Sequence, residues 1–240
     1  MSFAALLVAL VALLGSVIAA PRAAADDDHS SSVNGSPINT AIVENTKDNS
    51  SVFKLAFDIR TITGASTVAP GNAAIAISSC KNCQTVAIAV QIVFVVGSPD
   101  VFAPENAAVA VNANCSFCDT LATAYQFVVQ TSVPVRFTHE GKRRLHDIWK
   151  ALKALEKSGL TGAEIQARVD ELMQQLAVVL ATEVEPIPGD REGQNKSDDG
   201  ASNSSASSST TTTVTVVSTT STSTSTSTST TTTTTVPTSS

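Results

Sequence analysis

The sequence predicts an α+β protein: an antiparallel β-meander made of two repeats of ~35 residues, followed by a helical hairpin and a disordered tail. Three observations predict it. Apolar residues alternate with period two through residues 51–138, and they recur at helical spacing through 139–185. Beyond residue 186 the composition turns to Gly, Asp and Asn and then almost wholly to Ser and Thr.

The chain of 240 residues carries a net charge of −6, with 15% charged residues. That balance argues against a nucleic-acid partner, which calls for a strongly basic face. Residues 3–20 form an apolar run, and Ala23-x-Ala25 precedes Asp26-Asp27-Asp28. This fits a signal peptide over 1–25 cleaved after Ala25. The other reading is an uncleaved anchor, since the run reaches the lower limit for spanning a bilayer. Both readings place the bulk of the chain outside the cytoplasm. After cleavage no segment is long and apolar enough to form a transmembrane helix. Residues 26–50 are polar and read as a flexible lead-in.

The region 51–138 contains a duplication. The segment Ala69-Pro70-Gly71-Asn72-Ala73-Ala74-Ile75-Ala76-Ile77 matches Ala103-Pro104-Glu105-Asn106-Ala107-Ala108-Val109-Ala110-Val111. Cys80, Cys83, Thr85, Ala87, Ala89, Gln91 and Val93 then match Cys115, Cys118, Thr120, Ala122, Ala124, Gln126 and Val128. Each unit reads as strand, Cys-x-x-Cys turn, strand, and two residues between alternating runs is the length of a tight hairpin. The expected strands are 52–62, 72–78, 84–96, 106–113 and 119–130, with 52–62 an unpaired edge open to another copy. One face of the long strands is bulky and needs a cover. The other is mostly Ala and lets a second layer approach closely.

Leu145, Ile148, Leu152 and Leu155 mark a helix over about 141–158 that stops at Ser158-Gly159. Thr161-Gly162-Ala163-Glu164 has the form of a capping box, opening a second helix over 162–182. Pro186 and Pro188 end it. Residues 186–240 cannot bury enough apolar surface to offset their ordering entropy. They are predicted to be disordered, with a composition similar to an O-glycosylated stalk.

Four cysteines are the candidate chemistry. In an oxidising compartment Cys80, Cys83, Cys115 and Cys118 form two disulfides, with three connectivities open. Alternatively the four thiolates bind one tetrahedral zinc ion, or one pair exchanges thiol for disulfide. In a meander both turns project from one sheet edge about 10 Å apart. His139-Glu140 lacks the second histidine one turn on that a zincin needs, because that position is Arg143. Arg136, Lys142, Arg143, Arg144, Lys150, Lys153 and Lys157 form a basic run able to rest on anionic envelope polymers or headgroups. The repeated Gln91 and Gln126 read as structural partners.

The duplicated Asn-Ala-Ala…Cys-x-x-Cys-x-Thr-x-Ala-x-Ala-x-Gln pattern, followed by Val135-Arg136-Phe137-Thr138 and the helical hairpin, resembles a group of actinobacterial exported proteins. The resemblance covers about residues 40–183, and some members carry the label peptide zinc metalloprotease. It implies export. The activity in that label needs a metal-binding helix that this chain does not have. The expectation is therefore a non-enzymatic secreted or cell-surface protein, without cofactor, with a structural or interaction role toward an envelope polymer or another envelope protein. The alternative is an extracytoplasmic module that binds zinc through four cysteines or exchanges thiols.

Overall fold

A computed structural model describes residues 36–187 and two later strands, Thr213–Ser223 and Thr230–Val236. The expected signal peptide lies outside the described residues. The chain winds as a parallel β-solenoid of three coils. The first coil has β1 (Ile38–Asn45), β2 (Ser51–Thr63) and β3 (Thr67–Val68). The second has β4 (Gly71–Ser78), β5 (Lys81–Val96) and β6 (Val101–Phe102), and the third has β7 (Glu105–Asn112) and β8 (Ser116–Thr131). Every strand pairs in parallel with its counterpart one coil on: β1-β4-β7, β2-β5-β8 and β3-β6.

The antiparallel meander is thereby overturned. Strands do form where the alternation places them, but β4 and β5 are not hairpin partners. The Cys-x-x-Cys segment is a corner between two sheets. Two physical reasons favour the corner. Alternate positions of β4 and β5 are both Ala, so laying one face on the other buries Ala74 and Ala76 against Ala87 and Ala89 in a thin, fully enclosed interior. Parallel pairing also sets like residues on like: Asn72 on Asn106, Gln91 on Gln126, Cys83 on Cys118. A hairpin would break each of those pairs.

The predicted flexible lead-in is also corrected within 36–50, because it supplies β1 and the first corner. Asn39 registers with Asn72, and Ala41 with Ala74. The first coil escapes detection because Lys47-Asp48-Asn49-Ser50 stands where the later coils have cysteine.

Buried polar groups form ladders up the solenoid. Asn39 Nδ2 donates to Asn72 Oδ1 (2.9 Å), and Asn72 Nδ2 to Asn106 Oδ1 (2.7 Å). Gln126 Nε2 donates to Gln91 Oε1 (2.9 Å) and to the Pro70 carbonyl (2.9 Å). Such groups must find partners inside, and the repeat supplies most of them one coil away; the Gln126 Oε1 at the end of its ladder accepts no hydrogen bond from the described residues.

The outer face of β2-β5-β8 is bulky: Ile88, Val90, Ile92, Leu121 and Phe127 are fully buried there. Its cover is the helical pair, α1 (His139–Ala154) and α2 (Gly162–Thr182), through Ile148, Leu152, Ile165, Val169, Leu172 and Leu176. Thr138 caps α1 by accepting from the Gly141 N–H. A short 3-10 turn, Leu155–Lys157, follows α1, and Gly159 turns the chain with φ 67°. Thr161 and Glu164 form the capping box of α2. Two short strands not foreseen, β9 (Val135–Phe137) and β10 (Val184–Pro186), pair antiparallel and tie the ends of the helical pair together.

The tail differs from the disordered stalk predicted for 186–240. β11 (Thr213–Ser223) pairs antiparallel with β8, and β12 (Thr230–Val236) with β11. The β8 edge would otherwise present a row of unpaired backbone groups, and Thr and Val are good strand formers. Poverty in large apolar residues does not prevent backbone pairing on such a template. The rest of the tail lies outside the described residues.

Candidate functional site

The solenoid corner between β4 and β5 and that between β7 and β8 each carry a cystine. Cys80 bonds to Cys83 and Cys115 to Cys118, with Cα separations of 6.2 and 6.0 Å. Of the three connectivities left open by the sequence, each turn closes on itself. Among the described residues no cysteine is free. The two turns are not at separate points along a sheet edge: they stack directly, and Cys83 Sγ lies 3.2 Å from Cys118 Sγ. All four sulfurs fall within 4.8 Å of one another. Cys80 and Cys83 are buried, while Cys115 and Cys118 are partly exposed.

The local sequence explains the corner. Asn49 and Asn82, one coil apart, both take positive φ, 54° and 51°, which asparagine tolerates better than most residues. Asn82 Nδ2 donates to Asn49 Oδ1 at 2.9 Å. In the first coil Ser50 replaces cysteine, and its Oγ donates to the Lys47 carbonyl at 2.6 Å, closing the same turn by hydrogen bond. A disulfide over so short a ring contributes about 2 kcal/mol by chain-entropy arithmetic. The cystines therefore stiffen two corners; the ladders and the helical cover carry most of the fold.

The third corner departs from the pattern. Where the other coils have asparagine, Phe117 takes φ 57° and its side chain is 92% exposed. A bulky residue in the left-handed region is strained. The repeat alignment, extended by one coil, carries the signal, since Phe117 falls at the position of Asn82.

The alternative thiol-exchange chemistry needs a helix N-terminus or a cation to hold a thiolate. The N-terminus of α2 does approach the corner, but Asp119 occupies it. Its Oδ2 accepts from the Gly162 N–H (2.6 Å) and from Gln84 Nε2 (2.9 Å). Asp119 reads in the sequence only as an acid beside the cysteines, and its tertiary role is not legible there: it seats the helix against the cystine stack, with the charge sign the helix dipole favours.

The basic run is brought together only in part. Arg136 pairs with Glu185 (2.9 Å), Arg144 with Glu183 (3.5 Å), and Arg143 with Glu140 (2.5 Å) and Asp147 (3.5 Å). Hydrogen bonding to Arg143 holds the Glu140 carboxyl below its usual range and raises Arg143 in turn. Lys153 Nζ sits 4.8 Å over the Trp149 ring. Lys142 and Lys150 lie on α1 and Lys157 in the 3-10 turn. A cleft of about 300 Å³ between the helices is lined by Arg143, Arg144, Asp147, Arg168 and Leu172. Each of its arginines has a carboxylate partner, Arg168 pairing with Glu171. His139 opens α1, whereas His146 stacks on Trp149 at 5.8 Å.

Tyr125 is the strongly perturbed group. Burial first, then the neighbouring Asp170 carboxylate that accepts from its hydroxyl, push the phenol far above its ordinary value. Gln166 Nε2 donates to the same oxygen at 2.9 Å. The three side chains tie β8 to α2, a structural role.

Comparison of the chain with family models, with curated proteins and with solved structures finds no match to any of them.

Proposed function

We propose that this chain is a non-enzymatic protein of the extracytoplasmic cell surface, acting as a rigid interaction module. The observation that carries the reading is Phe117, a fully presented aromatic held in a strained conformation inside a cystine ring. Strain and exposure at one residue mark a place kept for something other than folding. Aromatic side chains are the usual anchors of interfaces, and a clamped backbone lowers the ordering cost of binding. Two cystines suit an oxidising destination, in keeping with the signal-like start of the sequence. The partner is a component of the cell envelope.

Fractionation of the source cells tests both parts. The wild-type chain is expected in the envelope fraction, lacking residues 1–25 and with both disulfides intact by mass spectrometry without reduction. Phe117→Asn is expected to raise stability by about 1 kcal/mol by relieving the strained backbone, while releasing the chain from the envelope into the medium. A cytosolic chain retaining its first residues and four thiols refutes the location. Unchanged envelope retention of the Asn variant refutes the anchor.

A further inference from the structure

The stacked corners hold a second chemistry that the oxidised state conceals. We propose that reduction converts the two cystines into a tetrathiolate site for one zinc ion, shared between adjacent coils.

The geometry comes from the solenoid. Parallel register sets Cys83 opposite Cys118, so the two Cys-x-x-Cys turns face each other across a single strand spacing. A tetrahedral ion with Zn–S near 2.3 Å requires sulfurs about 3.8 Å apart. Cys83 and Cys118 are 3.2 Å apart, and no two of the four sulfurs are farther apart than 4.8 Å. Within each pair the sulfurs are bonded, so reduction frees them to open to that spacing between Cα atoms 6.2 and 6.0 Å apart. The two-residue spacing within each pair is that of zinc knuckles. Cys115 and Cys118 are partly exposed, giving reductant and metal an approach, while buried Cys80 and Cys83 form the floor. Lys81 stands between Cys80 and Cys83, and Lys47 holds the place of Cys80 one coil below; cations at such positions offset the double negative charge of the centre.

The chemistry balances with a dithiol as reductant. Two dithiol equivalents deliver four electrons and four protons, each closing to its own disulfide while one protein disulfide opens to two thiols. Zinc then displaces four protons to solvent and binds four thiolates. A soft sulfur set selects zinc over magnesium or calcium, and the centre forms only when both pairs are reduced.

The test uses the full chain, reduced anaerobically with a phosphine and titrated with cobalt(II) as the optical probe. The expected result is one cobalt per chain with the visible and near-ultraviolet bands of tetrahedral tetrathiolate coordination, bleached by one equivalent of zinc. The non-reduced chain is expected to take up none. Cys118→Ser is expected to weaken binding by at least the roughly 10–100-fold that loss of an outer partner already costs. Far-ultraviolet circular dichroism runs alongside: should the reduced chain lose its β signal, zinc must restore it. The proposal is overturned by absence of uptake, by one metal per two chains, by failure of zinc to restore a lost fold, or by equal affinity in Cys115→Ser/Cys118→Ser. None of these outcomes bears on where the oxidised protein resides or on Phe117.

Discussion

Replacing Asn72 by alanine probes the device that sets the register of the solenoid. Asn72 is 3% exposed and stands in the middle of the asparagine ladder. Its two amide hydrogens go to Asn106 Oδ1 (2.7 Å) and the Tyr125 carbonyl (3.0 Å), with the Ala89 carbonyl a weaker contact at 3.3 Å. Its oxygen accepts from Asn39 Nδ2 at 2.9 Å. Three good hydrogen bonds at about 1 kcal/mol net each put the loss near 3 kcal/mol. That is a large share of the ~5–15 kcal/mol that holds a domain together. Asn39 at the outer coil makes two bonds of similar length, to Asn72 and to the Val90 carbonyl (3.0 Å), so Asn39→Ala is expected to cost about 2 kcal/mol. Urea unfolding followed by circular dichroism, with the slope checked for constancy, measures both. In a double-mutant cycle the two losses should be less than additive, because one bond is shared. A cost below about 1 kcal/mol for Asn72→Ala, or one no greater than that of Asn39→Ala, would refute the ladder as the source of register.

Three further outcomes follow from the same packing. Ala89→Leu enlarges a fully enclosed position between two Ala faces and is expected to cost about 1–3 kcal/mol; a raised melting temperature would mean the interior has room. Gly162→Ala is expected to destabilise by about 1–2 kcal/mol despite the better helix propensity of alanine, since a Cβ there collides with the Asp119 carboxylate, and Asp119→Ala should relieve the effect. Tyr125 keeps its proton in the folded state to higher pH than in the unfolded chain. Stability is therefore fully present below the unfolded value near 10 and falls as pH rises above it, whereas Tyr125→Phe removes that alkaline slope. Stability curves of the two proteins between pH 8 and 11 compare them directly, and equal slopes would contradict the buried phenol.

The period-two alternation of residues 84–96 and 119–130 was sufficient to place β5 and β8 and to sort their faces into bulky and Ala-rich. The helical spacing of Ile148, Leu152, Ile165 and Val169 identified the cover, and Thr161 with Glu164 marked where α2 begins. These are local signals, written in the chain at the scale of one element. Strand partners are not. An alternating strand can be satisfied by a hairpin neighbour or by a copy of itself one coil away, and both give the same pattern along the chain. Tertiary structure decided between them, because only the parallel stack closes the Ala faces on each other and sets Asn39 on Asn72 on Asn106. It likewise recruited β1, whose corner has Ser50 in place of a cysteine, and gave β11 an edge to pair with. The same stacking brings four sulfurs within 4.8 Å, although the two cysteine pairs are a full coil apart along the chain.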